Sequence, residues 1–190
     1  MNALDVIAVD GRSLAEAVAA WHDFYDVLGE ASATLVGLLF VAASVGSRRF
    51  SGSRLAALRI FLSASVVHFA GILAVVLIML APQSSWRIAG GLVVAAGVFG
   101  LGYYGLNWTD VVRSGFSRRI DWDDKFWYGA LPIVGYLLEA AAGVSLWMQW
   151  ACGLPALAVT AGFLLLVGIH NAWDITVWSI SRPPDPPKDS

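Results

Sequence analysis

Glu139, His68 and His170 stand inside stretches otherwise built almost wholly from aliphatic, aromatic and small residues. A carboxylate ligates cations and exchanges protons; an imidazole titrates near neutrality and does both. Near a bilayer centre each such group costs about 2.5–3.5 kcal/mol on insertion scales, so it faces protein or a water-filled cavity and marks a site of function. Asn171 and Asp174 follow His170, and Glu30 occupies an apolar run nearer the N-terminus. His22, Asp26 and Glu30 recur every four residues and share one helix face, and His170 and Asp174 stand in the same relation. Read together, these residues form a candidate ion or proton path: His22, Asp26 and Glu30 at one end, His68 and Glu139 in the middle, and His170, Asn171 and Asp174 at the other.

Small residues frame the path. Gly135 and Gly143 flank Glu139 at i−4 and i+4, Ala64 and Gly71 flank His68, and Gly29, Ala33 and Gly37 form a ridge beside Glu30. Helices approach closely at such faces, so the ionisable groups are expected to point into a bundle. Pro132 is expected to bend its helix before Glu139 and to free a backbone carbonyl. A plainer reading stands beside each site. His68 and Glu139, at matching depth in their runs, would pair and lock helix packing. The segment from His170 to Asp174 would be a hydrogen-bond lock to a neighbouring helix. His22 and Asp26 would be a wet helix end, and Asp121, Asp123 and Asp124 a solvated loop.

The elements that must position these residues are five apolar runs of the roughly 20 residues that a membrane-crossing helix needs: 24–46, 57–81, 88–106, 127–149 and 154–178. They are continuous and lack the period-two alternation of a membrane β-strand. The expected fold is therefore all-α, a polytopic transmembrane bundle of about five spans. The first run is too long for a cleaved signal, has no basic segment before it, and is followed at once by Arg48 and Arg49. With five crossings, one side of the membrane collects Arg48, Arg49, Arg54, Arg59, Arg113, Arg118, Arg119, Lys125, Arg182 and Lys188, and the other only Arg12 and Arg87. The positive-inside rule then places the N-terminus outside and the C-terminus in the cytoplasm.

Composition agrees. Hydrophobic residues make up 58% of the 190 and charged residues 14%, against roughly 25% charged in a soluble domain, so lipid is the expected covering. Net charge is −2 without a basic patch, which excludes nucleic acid as a partner. Cys152 is the single cysteine, which excludes an internal disulfide and a cysteine-based zinc cluster. Residues 1–23 are expected outside the membrane, with Ser13 and Glu16 as a capping box opening a short helix whose stripe is Leu14, Val18, Trp21 and Tyr25. Residues 179–190, proline-rich, are expected to be disordered. Trp21, Trp86, Trp108, Trp127, Trp150 and Trp178 fall near run ends as interface anchors.

The segment from Gly29 to Ser44 (GEASATLVGLLFVAAS), preceded by Trp21-His-Asp-Phe-Tyr25 and followed much later by His170-Asn-Ala-Trp-Asp174, resembles a family of small uncharacterised bacterial multi-spanning inner-membrane proteins, over nearly the whole chain. The resemblance implies a bacterial inner-membrane location; it carries no activity, and no functional residue is transferred through it. Function therefore rests on the intramembrane groups. The first expectation is a small proton- or cation-conducting protein, in which a homo-oligomer joined through the glycine-rich third run would complete a pore. The alternatives are a non-catalytic accessory or scaffold subunit of a larger membrane complex, or a haem- or metal-binding membrane protein, with His68 and His170 as haem ligands or with Glu139 as ligands to a divalent ion. No nucleophile motif, phosphate-binding loop, HExxH or soluble domain is present, so an enzyme is not expected.

Overall fold

The computed structural model describes residues 13–49, 52–82, 85–113 and 126–181. Residues 1–12, the acidic loop with Asp121, Asp123 and Asp124, and the end of the tail from Arg182 onward lie outside the described residues. Within them the chain is helical: α1 Leu14–Ala19, α2 His22–Arg49, α3 Gly52–Leu80, α4 Trp86–Arg113, a π-helical turn Phe126–Ala130 leading into α5 Leu131–Trp147, and α6 Gly153–Ser181. Four stretches are long and apolar enough to cross a membrane: His22–Val45, Trp86–Leu106, Phe126–Trp147 and Gly153–Asp174. In α3 the apolar portion among the described residues is shorter, Ser65–Leu80. Large apolar side chains cover the outside of the bundle, Phe40, Phe99, Leu106, Val159 and Leu166 among them. Such a surface is stable against lipid and not against water. The chain is an α-helical protein with the build of a multi-pass membrane protein.

The capping box forms as its spacing requires. The Ser13 hydroxyl accepts from the Glu16 amide and the Glu16 carboxylate accepts from the Ser13 amide. The stripe that follows packs inward: Leu14, Val18 and Tyr25 are buried and Trp21 is packed against the core.

α4 packs most extensively against α5, α2 against α3, and α6 against α5 and α3. The α4–α5 seam explains the glycines of the third run. Over residues 86–106 of α4 the buried positions are Trp86, Ala89, Gly90, Val93, Gly97, Gly100 and Tyr104, spaced mostly at three and four, the stripe of a helix with one packed face. At Gly90 a methyl group would lie 2.5 Å from the Trp147 amide nitrogen and 2.7 Å from the Gly143 carbonyl oxygen. At Gly143 it would meet the Val94 nitrogen at 2.7 Å. The two backbones therefore touch, and these glycines are used inside the chain. The expectation that this run supplies an oligomer contact is corrected for Gly90, Gly97 and Gly100; only Gly102 and Gly105 have open space beside them. Trp86, expected as an interface anchor, is likewise a core residue at 7% exposure.

The fourth run is helical from Phe126 to Trp147, but its first turn is π-helical. The π-helical turn comes first and α5 begins at Leu131, which puts Pro132 in its first turn, where a missing N–H is tolerated. Between α5 and α6 the chain turns within a few residues, with Gln149 at φ 58°.

Candidate functional site

His68 projects from α3 into the centre of the bundle and is 1% exposed. Its ring joins two tyrosines in a three-ring cluster, in which the tyrosine centroids are themselves 5.7 Å apart. The Tyr104 ring of α4 is 5.0 Å away between centroids, and the Tyr136 ring of α5 is 5.5 Å away and nearly parallel, with an interplanar angle of 6°. The Tyr136 hydroxyl and His68 Nδ1 are 3.1 Å apart and hydrogen-bonded. Nε2 of the same ring is buried and has no hydrogen-bond partner among the described residues. The imidazole is thus packed in an aromatic cluster, bonded at one nitrogen and, among the described residues, unbonded at the other.

Glu139 is 3% exposed. Pro132, Gly135, Tyr136, Glu139, Ala142, Gly143 and Leu146 are the buried residues of α5, and Glu139 falls in the middle of the arc they make. Gly135, on one flank, faces Leu164 of α6; Gly143, on the other, faces α4. The carboxyl oxygen Oε1 is buried without a hydrogen-bond partner among the described residues. Among the described residues no hydrogen bond joins Glu139 directly to His68; the imidazole is bonded by Tyr136, three residues earlier. The acid therefore sits one turn, about 4.5 Å, further along α5. Counting from run centres cannot detect that offset, because helix register is set by where side chains interlock.

At the far end of α6, Asn171 is fully buried. Its side-chain amide donates to the Trp127 carbonyl at 3.3 Å, and its own backbone carbonyl accepts from the Tyr128 hydroxyl at 2.8 Å. Pro132 supplies no N–H to the carbonyls of the preceding turn, so the Asn171 amide satisfies a carbonyl in the π-helical turn. This is the lock to a neighbouring helix that was the plainer reading of the segment. His170 stacks on the Trp127 indole at 3.6 Å, which takes that tryptophan away from a purely anchoring role. His170 Nδ1 and Asp174 Oδ2 are 3.7 Å apart, past hydrogen-bonding distance.

At the opposite end, His22 Nδ1 and Asp26 Oδ2 are 3.0 Å apart, with both side chains about half exposed. Glu30 departs from expectation: it is exposed on the outside of α2, and so are Ala33, Thr34 and Gly37. The contact face of α2 runs through Tyr25, Leu28, Gly29, Ser32 and Leu39. Each i+4 step turns about 40° beyond a full revolution, so the ridge from Gly29 through Ala33 to Gly37 drifts off α3 after its first member. Only Gly29 meets a partner, Val76.

His68 and His170 do not face a common space. Gly168 of α6 abuts Phe69 and His68, and His170, two residues on, points about 200° around the helix. Among the described residues no three His, Cys, Asp or Glu side chains converge, so the haem and divalent-ion readings find no shared donor set. Sequence reasoning missed Tyr136 and Tyr104. Tyr136 carried a signal: its hydroxyl stands two residues from the centre of a run, far from the run ends where tyrosine is at home.

Compared with known protein families, curated proteins and solved structures, the chain matches none of them.

Proposed function

We propose that this protein is a small conductor of protons or cations in the bacterial inner membrane. In this reading it crosses the bilayer five times with its N-terminus outside and its C-terminus in the cytoplasm. The observation that supports conduction is a set of five buried polar atoms without hydrogen-bond partners among the described residues: Tyr25 Oη, His68 Nε2, Glu139 Oε1, His170 Nδ1 and Asn171 Oδ1. Leaving such an atom unsatisfied costs about 1–3 kcal/mol, and structure-only roles select against it. These atoms come from α2, α3, α5 and α6 and are spread from one end of the bundle to the other, as stations of a relay would be. The test is flux. Purified protein in liposomes, with a pH dye inside and a valinomycin-set potential, is expected to pass protons, sodium or potassium. No flux of any of the three across pH 5–8 would overturn the reading.

The topology has its own test. A reporter active only outside the cytoplasm is expected to be silent when fused after Ser190 and active when inserted near Gln83. A translocated C-terminus would end the five-span arrangement, which rests on α3 joining the four longer apolar helices and on the ten-to-two distribution of basic residues.

A second reading, a subunit of a homo-oligomer or of a larger membrane complex, is favoured by Glu30. A carboxylate on the outside of a membrane helix is costly against lipid, and a partner helix would relieve it. In that case Glu30→Ala changes what co-purifies with the protein.

A further inference from the structure

Resting on the conducting reading above, we propose that the transported species is the proton, and that it crosses the middle of the bundle through the His68 imidazole and the Tyr136 hydroxyl. The geometry selects these two groups. Tyr104 of α4 and Tyr136 of α5 pack with the imidazole in a three-ring cluster, its centroids 5.0, 5.5 and 5.7 Å apart, and the ring exchanges protons at its two edge nitrogens. One edge nitrogen, Nδ1, is 3.1 Å from the Tyr136 oxygen. The other, Nε2, is buried with no hydrogen-bond partner among the described residues. A ring with one nitrogen coupled to a hydroxyl and the other open can take a proton on one side and release one on the other.

The transfer balances. With Nδ1 protonated and donating to Tyr136, a hydronium ion gives a proton to Nε2 and becomes water, and the ring becomes imidazolium. The Nδ1 proton then passes to the Tyr136 oxygen while the hydroxyl proton of Tyr136 leaves for water on the side of Glu139, one turn further along α5. Imidazole is again neutral, tyrosine again carries one hydrogen, and one proton has entered and one has left. Movement of the remaining proton from Nε2 back to Nδ1 through water resets the ring.

A metal cation is poorly served by the same residues. Hard cations take six or more oxygen ligands. The described residues bring no three acidic or imidazole groups together, and the five unpartnered buried atoms are on four different helices. Directly beside this site the α4 and α5 backbones touch at Gly97 and Ala140, which leaves no passage for a hydrated ion along that seam.

The experiment uses the full chain in liposomes, with separate proton, sodium and potassium gradients and with buffers in H2O and D2O. For the wild type, the reversal potential is expected to follow the proton gradient alone, and the flux to fall in D2O. Tyr136→Phe keeps the ring against α4 and removes only the hydroxyl; it is expected to lower proton flux about a hundredfold, the scale of a lost positioned proton-transfer group. Its thermal midpoint and elution volume should stay near wild type. A folded Tyr136→Phe protein that carries protons at the wild-type rate overturns the inference and leaves the conducting reading intact. A wild-type reversal potential that follows sodium or potassium does the same, and that measurement decides the matter if Tyr136→Phe fails to fold. No flux of any ion in the wild type removes both.

Discussion

Glu139→Gln is expected to abolish flux while leaving the protein folded. The side chain is buried in the middle of the inward arc of α5, between the flank that meets α6 and the flank that meets α4, and among the described residues it makes no ion pair that its loss would break. Glutamine has the same length and shape, so the packing around Gly135 and Gly143 is undisturbed. What changes is ionisation: an amide neither accepts nor releases a proton at any accessible pH. Flux is therefore expected to drop by two orders of magnitude or more, the scale of a lost proton-transfer group. Asp174→Asn is expected to impair flux less, because that carboxylate is about half exposed and water can replace it. The subunit reading forecasts something else: no flux to lose, and only a modest shift in thermal midpoint for Glu139→Gln. Liposome flux and thermal unfolding of the same preparations separate the two, and full flux through Glu139→Gln would remove the acid from the route.

The largest effect on stability is expected at Gly90. An alanine methyl there would sit 2.5 Å from the Trp147 backbone nitrogen and 2.7 Å from the Gly143 oxygen. Neither neighbour is a flexible side chain that can swing away, so α4 and α5 must move apart along the seam. Overpacking of this kind costs about 1–3 kcal/mol. Gly37→Ala supplies the contrast within the same fold, because no atom outside its own helix lies within 4 Å of the added methyl. Thermal unfolding in one detergent should show a clear drop for Gly90→Ala and none for Gly37→Ala; equal midpoints for the two would mean that α4 and α5 are not in backbone contact.

Much of the helical layout was legible because its causes are local. An uninterrupted apolar run such as 154–178 has one economical conformation, and α6 runs Gly153–Ser181. The Ser13–Glu16 box acts over three residues and forms as its spacing dictates. The site was less legible because its geometry depends on register between helices. Glu30 stands next to a small residue of the contact face, and one residue of rotation carries it to the outside. Tyr104 lies close to the end of its run and reads as an interface residue, yet its ring faces His68. Asn171 and Pro132 are 39 positions apart, and nothing in either sequence neighbourhood announces that the amide of one serves the turn interrupted by the other.

The hydrogen bond between His68 and Tyr136 joins residues 68 positions apart. Chains are synthesised at about 5–20 residues per second, so in the five-span arrangement α3 is made several seconds before α5 exists. Through that interval the imidazole has neither of its tyrosines, and the hairpin of α2 and α3 must hold a polar group that nothing yet shields. The central site is thus a product of late assembly: α3 can settle fully only once α4 and α5 have arrived as a seam, and a chain arrested before Tyr136 would present His68 to whatever quality-control machinery inspects unfinished membrane proteins.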